Sequence, residues 1–152
     1  MLAFTRSVEF AKDAVGYETY TKGAKLTPQA LYNTFMTEIR FMQEYLPEWA
    51  ELPHTCGSWM MSPRLKELLP ENSKILFFQS LFDIQKYTPT LRRVYEFVFN
   101  LEVFQMESVD PHTLREDTSL QRAMKKYILE GGDPGEGFAV LQNERVDSLK
   151  SS

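Results

Sequence analysis

Between His54 and Phe82 the sequence changes its hydrophobic period repeatedly, and this limits the fold more than any other feature. His54 to Met61 reads as a strand. Period-two geometry puts His54, Cys56, Ser58 and Met60 on one face and Thr55, Gly57, Trp59 and Met61 on the other. Ser62-Pro63 then has the form of a helix start. Arg64 to Leu69 reads as a short helix that Pro70 stops, and Asn72-Ser73 opens a further turn or helix through Phe78. Phe82 to Tyr87 alternates again and reads as a strand. A strand that turns a tight corner into short helices and returns to a strand calls for a sheet with helices packed on it.

The flanking segments repeat that alternation. Ala14 to Thr21 is rich in β-branched and aromatic residues and predicts a strand. Thr27-Pro28 starts a helix in which Leu31, Phe35, Ile39, Met42 and Leu46 recur at steps of three or four, so its apolar stripe has to lie on a core. Thr90 to Phe99 carries helical spacing, and Leu101 to Ser108 alternates like a strand. Asp117 or Thr118 begins the last helix, with Gln121 placed for a capping box and Gly131-Gly132 at its end. Gly137 to Leu141 reads as a final strand. The expected fold class is α/β (α+β): a mixed central sheet of about five or more strands flanked by helices. Residues 1–141 form one domain, and 142–152 form a loose polar tail.

The 152 residues suffice for one domain with a real core. A net charge of −4 leaves no electrostatic footprint for nucleic acid. The basic pairs Arg92-Arg93 and Lys125-Lys126 read as solvated faces. No apolar run is long enough for a membrane span, and the first residues do not have the form of a signal peptide. The single cysteine, Cys56, excludes an internal disulfide and agrees with a reducing cytoplasm. With His54 and His112 the only histidines, no metal site is expected.

Candidate chemistry is sparse. Cys56 could act as a nucleophile with His54 on the same strand face, but same-face neighbours stand about 7 Å apart at their roots. A lone half-buried cysteine is most often a small core hydrophobe. At Met61-Ser62-Pro63-Arg64 a strand hands over to a helix, where unpaired amides and Arg64 could meet a phosphate; an ordinary Ser-Pro cap reads the same way. The glycine-rich run Gly131 to Gly137 leaves a helix and enters a strand, which is the wrong polarity for a phosphate cradle. Glu18, Asp83, Glu107, Tyr17, Tyr20, Tyr87 and Tyr95 are the remaining acid or base candidates.

Two blocks carry a resemblance. The first runs from Ser58-Trp59 through Glu67-Leu68-Leu69-Pro70 to Phe78-Gln79 and Phe82. The second is Asp117-Thr118-Ser119-Leu120-Gln121-Arg122-Ala123, closing on Gly131-Gly132. In order and spacing they resemble a bacterial acyltransferase family with a GNAT-like C-terminal domain, across roughly residues 14 to 141. The resemblance implies a GNAT-like sheet and an acyl-CoA-dependent N-acyltransferase domain, the C-terminal part of a larger, two-part protein. Acetyl-CoA or another acyl-CoA would be the co-substrate, and a small-molecule or protein amine the acceptor. With the charge, apolar runs and single cysteine described above, the expected location is cytoplasmic, with no nucleic acid or membrane partner, and a homodimer is admitted. Trp59, Ser62 and Arg64 are the expected cofactor contacts, with Cys56, Ser58 and Glu18 as catalytic candidates. The family pattern often has histidine where this chain has Gly57, and a histidine-containing segment near Thr21 to Lys25. Both imidazoles are missing here, so a catalytically inactive ligand- or partner-binding module on the same fold is the alternative. A purely structural or oligomerising domain is a third reading.

Overall fold

The computed structural model describes residues 26–151. Helix α1 spans Pro28–Tyr45. The Thr27 hydroxyl oxygen accepts from the Ala30 N–H at 3.3 Å, and Pro28 occupies the first turn, where its missing N–H costs nothing. Helix α2, Pro47–Ala50, follows directly, and strand β1, Thr55–Ser58, comes next. A 3-10 turn over Trp59–Met61 leads into α3, Leu65–Leu68, and α4, Lys74–Gln79. Then come β2 (Phe82–Thr88), α5 (Arg92–Phe97), α6 (Val103–Met106) and α7 (Ser119–Leu129). Strand β3, Glu136–Leu141, α8, Asn143–Asp147, and a 3-10 turn over Ser148–Ser151 complete the order.

The three described strands form one antiparallel sheet in the order β1-β3-β2. Thr55 faces Val140 and Ser58 faces Gly137 across the β1–β3 pair. On the other side Phe82 faces Leu141 and Thr88 faces Glu136, with a bulge between Ile84 and Lys86. The last strand in sequence therefore lies at the centre. The predicted strand at 14–21 lies outside the described residues.

Two apolar clusters hold the molecule together. The first joins Leu31 and Phe35 of α1 to Cys56, Phe78, Phe82, Ala139 and Leu141. The second is built from helices and loops: Leu65, Val94, Phe99, Leu114, Met124 and Ile128. Helix α4 serves both, since Phe77 and Phe78 pack into the first and Ile75 and Leu76 into the second. Leu65, Phe78 and Ile128 are buried, whereas Trp59, Leu68 and Leu120 are half-buried at the rim of the second cluster.

Three expectations need correction. Residues 101–108 do not form a strand. Asn100 takes φ +55°, a conformation asparagine tolerates, and Glu102 and Gln105 then close a capping box around α6. The alternation there reflects exposure, with Val103 and Phe104 on the surface. Residues 142–151 are not a loose tail. Val146 and Leu149 are buried in the first cluster, and Arg145 donates to the carbonyls of Ser80 (3.1 Å) and Phe82 (3.0 Å) and to Asp83 (2.9 Å). Lys125 is not a solvated charge, because its ammonium donates to the Leu114 carbonyl at 2.9 Å and meets Glu116 at 3.1 Å.

Truncating a buried leucine removes its transfer energy and leaves a cavity. Leu149→Ala should therefore cost about 2–5 kcal/mol in urea unfolding, while the neighbouring exposed Lys150→Ala stays within about 0.5 kcal/mol of the parent. Equal, small effects of both would show that the C-terminal turn is not part of the core.

Candidate functional site

The corner between β1 and α3 is the most constrained place in the chain. Ser62 is fully buried, and its hydroxyl donates to the Pro134 carbonyl while its oxygen accepts from the Arg64 N–H at 3.2 Å. The buried Gln79 amide donates to two carbonyls of the same corner, Met60 at 3.0 Å and Ser62 at 2.8 Å. Strand β3 approaches so closely that a Cβ on Gly137 would overlap the Met61 carbonyl, so only glycine fits there. The Gln79 amide of α4 thus serves backbone carbonyls of the sharp corner, and the Ser62 hydroxyl ties the corner to the loop before β3.

This clamp projects Arg64 outward. Its guanidinium pairs with Glu67 at 3.1 Å and lies 5.5 Å from the centre of the Tyr87 ring. The Tyr87 hydroxyl donates to the Asp133 carbonyl at 2.8 Å, and the Asp133 carboxylate accepts from the N–H groups of Thr90 (3.1 Å) and Gly135 (2.8 Å). Gly135 takes φ +62° against that ring. Tyr127 completes the group. Burial raises its phenol above the ordinary range, the Glu67 charge adds to the rise, and Arg64 opposes it. Hydrogen bonds to Glu67 and Tyr87 hold the Arg64 guanidinium protonated. The result is a cation resting on a phenol, flanked by a second phenol and a carboxylate.

Arg64 and Tyr87, chosen separately from the sequence, come together here. Tyr127, Glu67 and Asp133 were missed as members of the group. Tyr127 has the spacing of an inward-facing helical residue, and nothing in sequence shows that Gly132 turns the chain across its ring. Trp59 is half-buried and packs against the second cluster beside Leu65. Ser62 orders the corner through the contacts given above. The helix that follows has only four residues, and the Leu65 N–H already donates to the Ser62 carbonyl at 3.2 Å, so few free amides remain. Among the other acid or base candidates, Asp83 is held by Arg145, Tyr95 is buried with its phenol raised first by burial and then by Asp133, and Glu107 is exposed after α6. Glu18, Tyr17 and Tyr20 lie outside the described residues.

Cys56 and Ser58 lie on β1, away from this group. Burial pushes the Cys56 thiol up to about 12, so it holds its proton at neutral pH. His54 pairs with Glu38 of α1 at 3.5 Å. The Ser58 hydroxyl oxygen accepts from the Met60 N–H at 3.2 Å and caps the 3-10 turn. Among the described residues, no group of three or more His, Cys, Asp or Glu is placed to hold a metal ion. No helix among them is long and apolar enough to cross a membrane.

The thiol has a pH consequence. Its folded value lies above the ordinary 9.0, so below that pH both states keep the proton and stability is unaffected. As pH rises from about 9 towards about 12 the unfolded chain deprotonates first and stability falls. Urea melts at pH 7 and pH 10.5 should show a smaller alkaline loss for Cys56→Ala than for the parent, and iodoacetamide should label Cys56 only in denaturant. Rapid labelling of the folded protein at neutral pH would contradict this.

A companion test addresses the clamp. Gln79→Leu leaves the Met60 carbonyl without its side-chain donor, at about 1–3 kcal/mol, while the Ser62 carbonyl keeps the Leu65 N–H. Its unfolding free energy should drop by about 1–3 kcal/mol, with the Arg64 corner becoming sensitive to proteases; a neutral effect would remove the clamp from the account.

The sequence matches the GNAT-like C-terminal domain family over residues 13–141. Among solved structures, an acyltransferase in complex with decanoyl-CoA superposes with a TM-score of 0.66 at 22% identity, covering 78% of this chain and 36% of that one. An acyltransferase in complex with CoA and 10C-teicoplanin gives 0.63 at 24% identity, covering 79% and 38%. An acyltransferase with decanoyl-CoA and teicoplanin gives the same values. The chain thus spans little more than a third of the length of these structures. No curated protein is similar enough to count as a relative. The fold is that of GNAT-like acyltransferases, with helices on an antiparallel sheet, and the chain belongs to the GNAT-like C-terminal domain family.

Proposed function

We propose that the chain is an acyl-CoA-dependent N-acyltransferase domain that forms the C-terminal part of a larger acyltransferase. The observation that carries this reading is the β1–α3 corner, where an exposed guanidinium stacks on Tyr87 beside Tyr127 on a GNAT-like fold. Arg64 binds a CoA phosphate by exchanging its Glu67 partner for the more highly charged anion. Ser62 fixes the backbone beneath it, and the half-buried Trp59 walls the path of the pantetheine arm. The co-substrate is acetyl-CoA or a longer acyl-CoA, in keeping with the decanoyl-CoA bound by a structural neighbour. The acceptor is an amine on a small molecule or a protein.

In the reaction the amine nitrogen forms a bond to the thioester carbonyl carbon and the carbon–sulfur bond breaks. The nitrogen gives up a proton to a base and the departing thiolate takes one. Tyr127 is the candidate for the second role, because it places a phenolic O–H beside the Arg64 corner. Glu18 is the base candidate, since a carboxylate can take up the proton and a neutral serine hydroxyl cannot. Cys56 fits no covalent role while its thiol stays protonated.

One observation favours a second reading, a ligand- or partner-binding module without turnover. The carboxylate at the corner, Glu67, is paired with Arg64, and the Asp133 carboxylate is engaged with backbone N–H groups, so neither is set to act as a base.

Thermal melts with CoA, acetyl-CoA and decanoyl-CoA test the proposal. A ligand at 100 times its Kd adds about 2.7 kcal/mol to stability, and so raises Tm by several degrees. Arg64→Ala should lose most of that rise and leave the unliganded Tm nearly unchanged. Transfer to a panel of amines separates the two readings: binding with transfer supports the acyltransferase, and binding without it supports the module. No shift with any of the three at millimolar levels would remove both CoA readings.

A further inference from the structure

From Phe41 to Leu52 the surface carries an apolar hook. Tyr45 is 61% exposed, Leu46 39%, Trp49 38% and Leu52 45%. The backbone beneath them is tied. The Leu46 N–H closes α1 on the Met42 carbonyl at 2.8 Å, Trp49 bonds back to Leu46 at 2.9 Å, and Leu52 bonds back to Trp49 at 3.1 Å. The Phe41 ring supports Tyr45 at 4.9 Å. These side chains are therefore displayed in a set arrangement and lose little freedom on meeting a partner. Large apolar groups exposed side by side mark an interaction surface, and tryptophan and tyrosine are its usual anchors.

Charge identifies what this surface fits. Glu44, Glu48 and Glu51 alternate with the apolar residues and are all exposed. No lysine or arginine occurs between Arg40 and Arg64. Elsewhere some exposed carboxylates meet cations, as Glu67 does Arg64, Glu96 Arg93 and Asp117 Arg115, while others such as Glu71, Glu107 and Glu144 do not; what sets this stretch apart is three carboxylates interleaved with exposed apolar side chains. Among the described residues no ion pair involves Glu44, Glu48 or Glu51. Three carboxylates without cations therefore fringe four exposed apolar side chains.

We propose that the hook docks a basic amphipathic helix of a partner protein. The helix lays its apolar face on Tyr45, Leu46, Trp49 and Leu52, and its lysine or arginine rim meets Glu44, Glu48 and Glu51. A second copy seated on the same surface would set carboxylates against carboxylates. An anionic membrane surface is repelled for the same reason.

The test titrates the full chain with a synthetic helical peptide of leucine and lysine at amphipathic spacing, and with its counterpart carrying glutamate for lysine. Calorimetry at low and high salt should show the lysine peptide binding and weakening with salt. The double variant Trp49→Ala/Leu52→Ala and the triple variant Glu44→Lys/Glu48→Lys/Glu51→Lys should each weaken it about tenfold or more. The triple variant should bind the glutamate peptide instead. All five substitutions alter exposed side chains, so unchanged melting curves certify the fold. The proposal is overturned if neither variant weakens the lysine peptide, if the parent prefers the glutamate peptide, or if no binding occurs at millimolar peptide. Sedimentation showing a dimer that Trp49→Ala/Leu52→Ala dissolves would assign the surface to a second copy and likewise overturn it.

Discussion

The structure depends on the double donation of one side-chain amide. Gln79 reaches from α4 to the carbonyls of Met60 and Ser62, and Ser62 in turn donates to the carbonyl of Pro134. A strand cannot turn abruptly into helix without leaving backbone acceptors unpaired, and in a buried corner water cannot satisfy them. The chain meets that demand with two polar side chains in an otherwise apolar setting. Each of them is buried, and their partners come from three separate segments. The corner, α4 and the loop before β3 are consequently fixed as one unit.

That unit explains where surface chemistry can gather. A rigid corner holds Arg64 at one place, and the loop it anchors brings Asp133 to Tyr87 and Thr90. The glycines at 135 and 137 matter for the same reason, since one faces an aromatic ring and the other a carbonyl. The polar group at the surface is therefore a product of buried hydrogen bonding beneath it. Pre-ordering of this kind lowers the entropic cost of holding an anion.

Local signals in the sequence were legible wherever they act within a few residues. Thr27-Pro28 opens α1, Thr118 and Gln121 close a capping box on α7, and Ser73 caps α4, all from short-range chemistry. The alternation of Phe82 to Tyr87 correctly marks a strand. The segment 101–108 misled because Val103 and Phe104 face solvent while Leu101 and Met106 pack on the second cluster, so its period-two alternation does not mark a buried face. The C-terminal residues misled for the opposite reason: two apolar side chains, Val146 and Leu149, outweigh a polar composition once Arg145 is bonded to β2. Of the polar group at the corner, Arg64 and Tyr87 were visible among the candidates in the sequence. The company of Tyr127 and Asp133 was not, because it depends on a turn whose direction is set by distant packing.

Helix α4 has six residues, yet successive side chains along it enter both apolar clusters. A boundary drawn between the sheet-side and helix-side cores would cut through it. Neither core can open while the other stays shut unless α4 unwinds, and unwinding it withdraws Gln79 from the corner. An opening that unwinds α4 thereby loosens the packing around β3 and around α7 together.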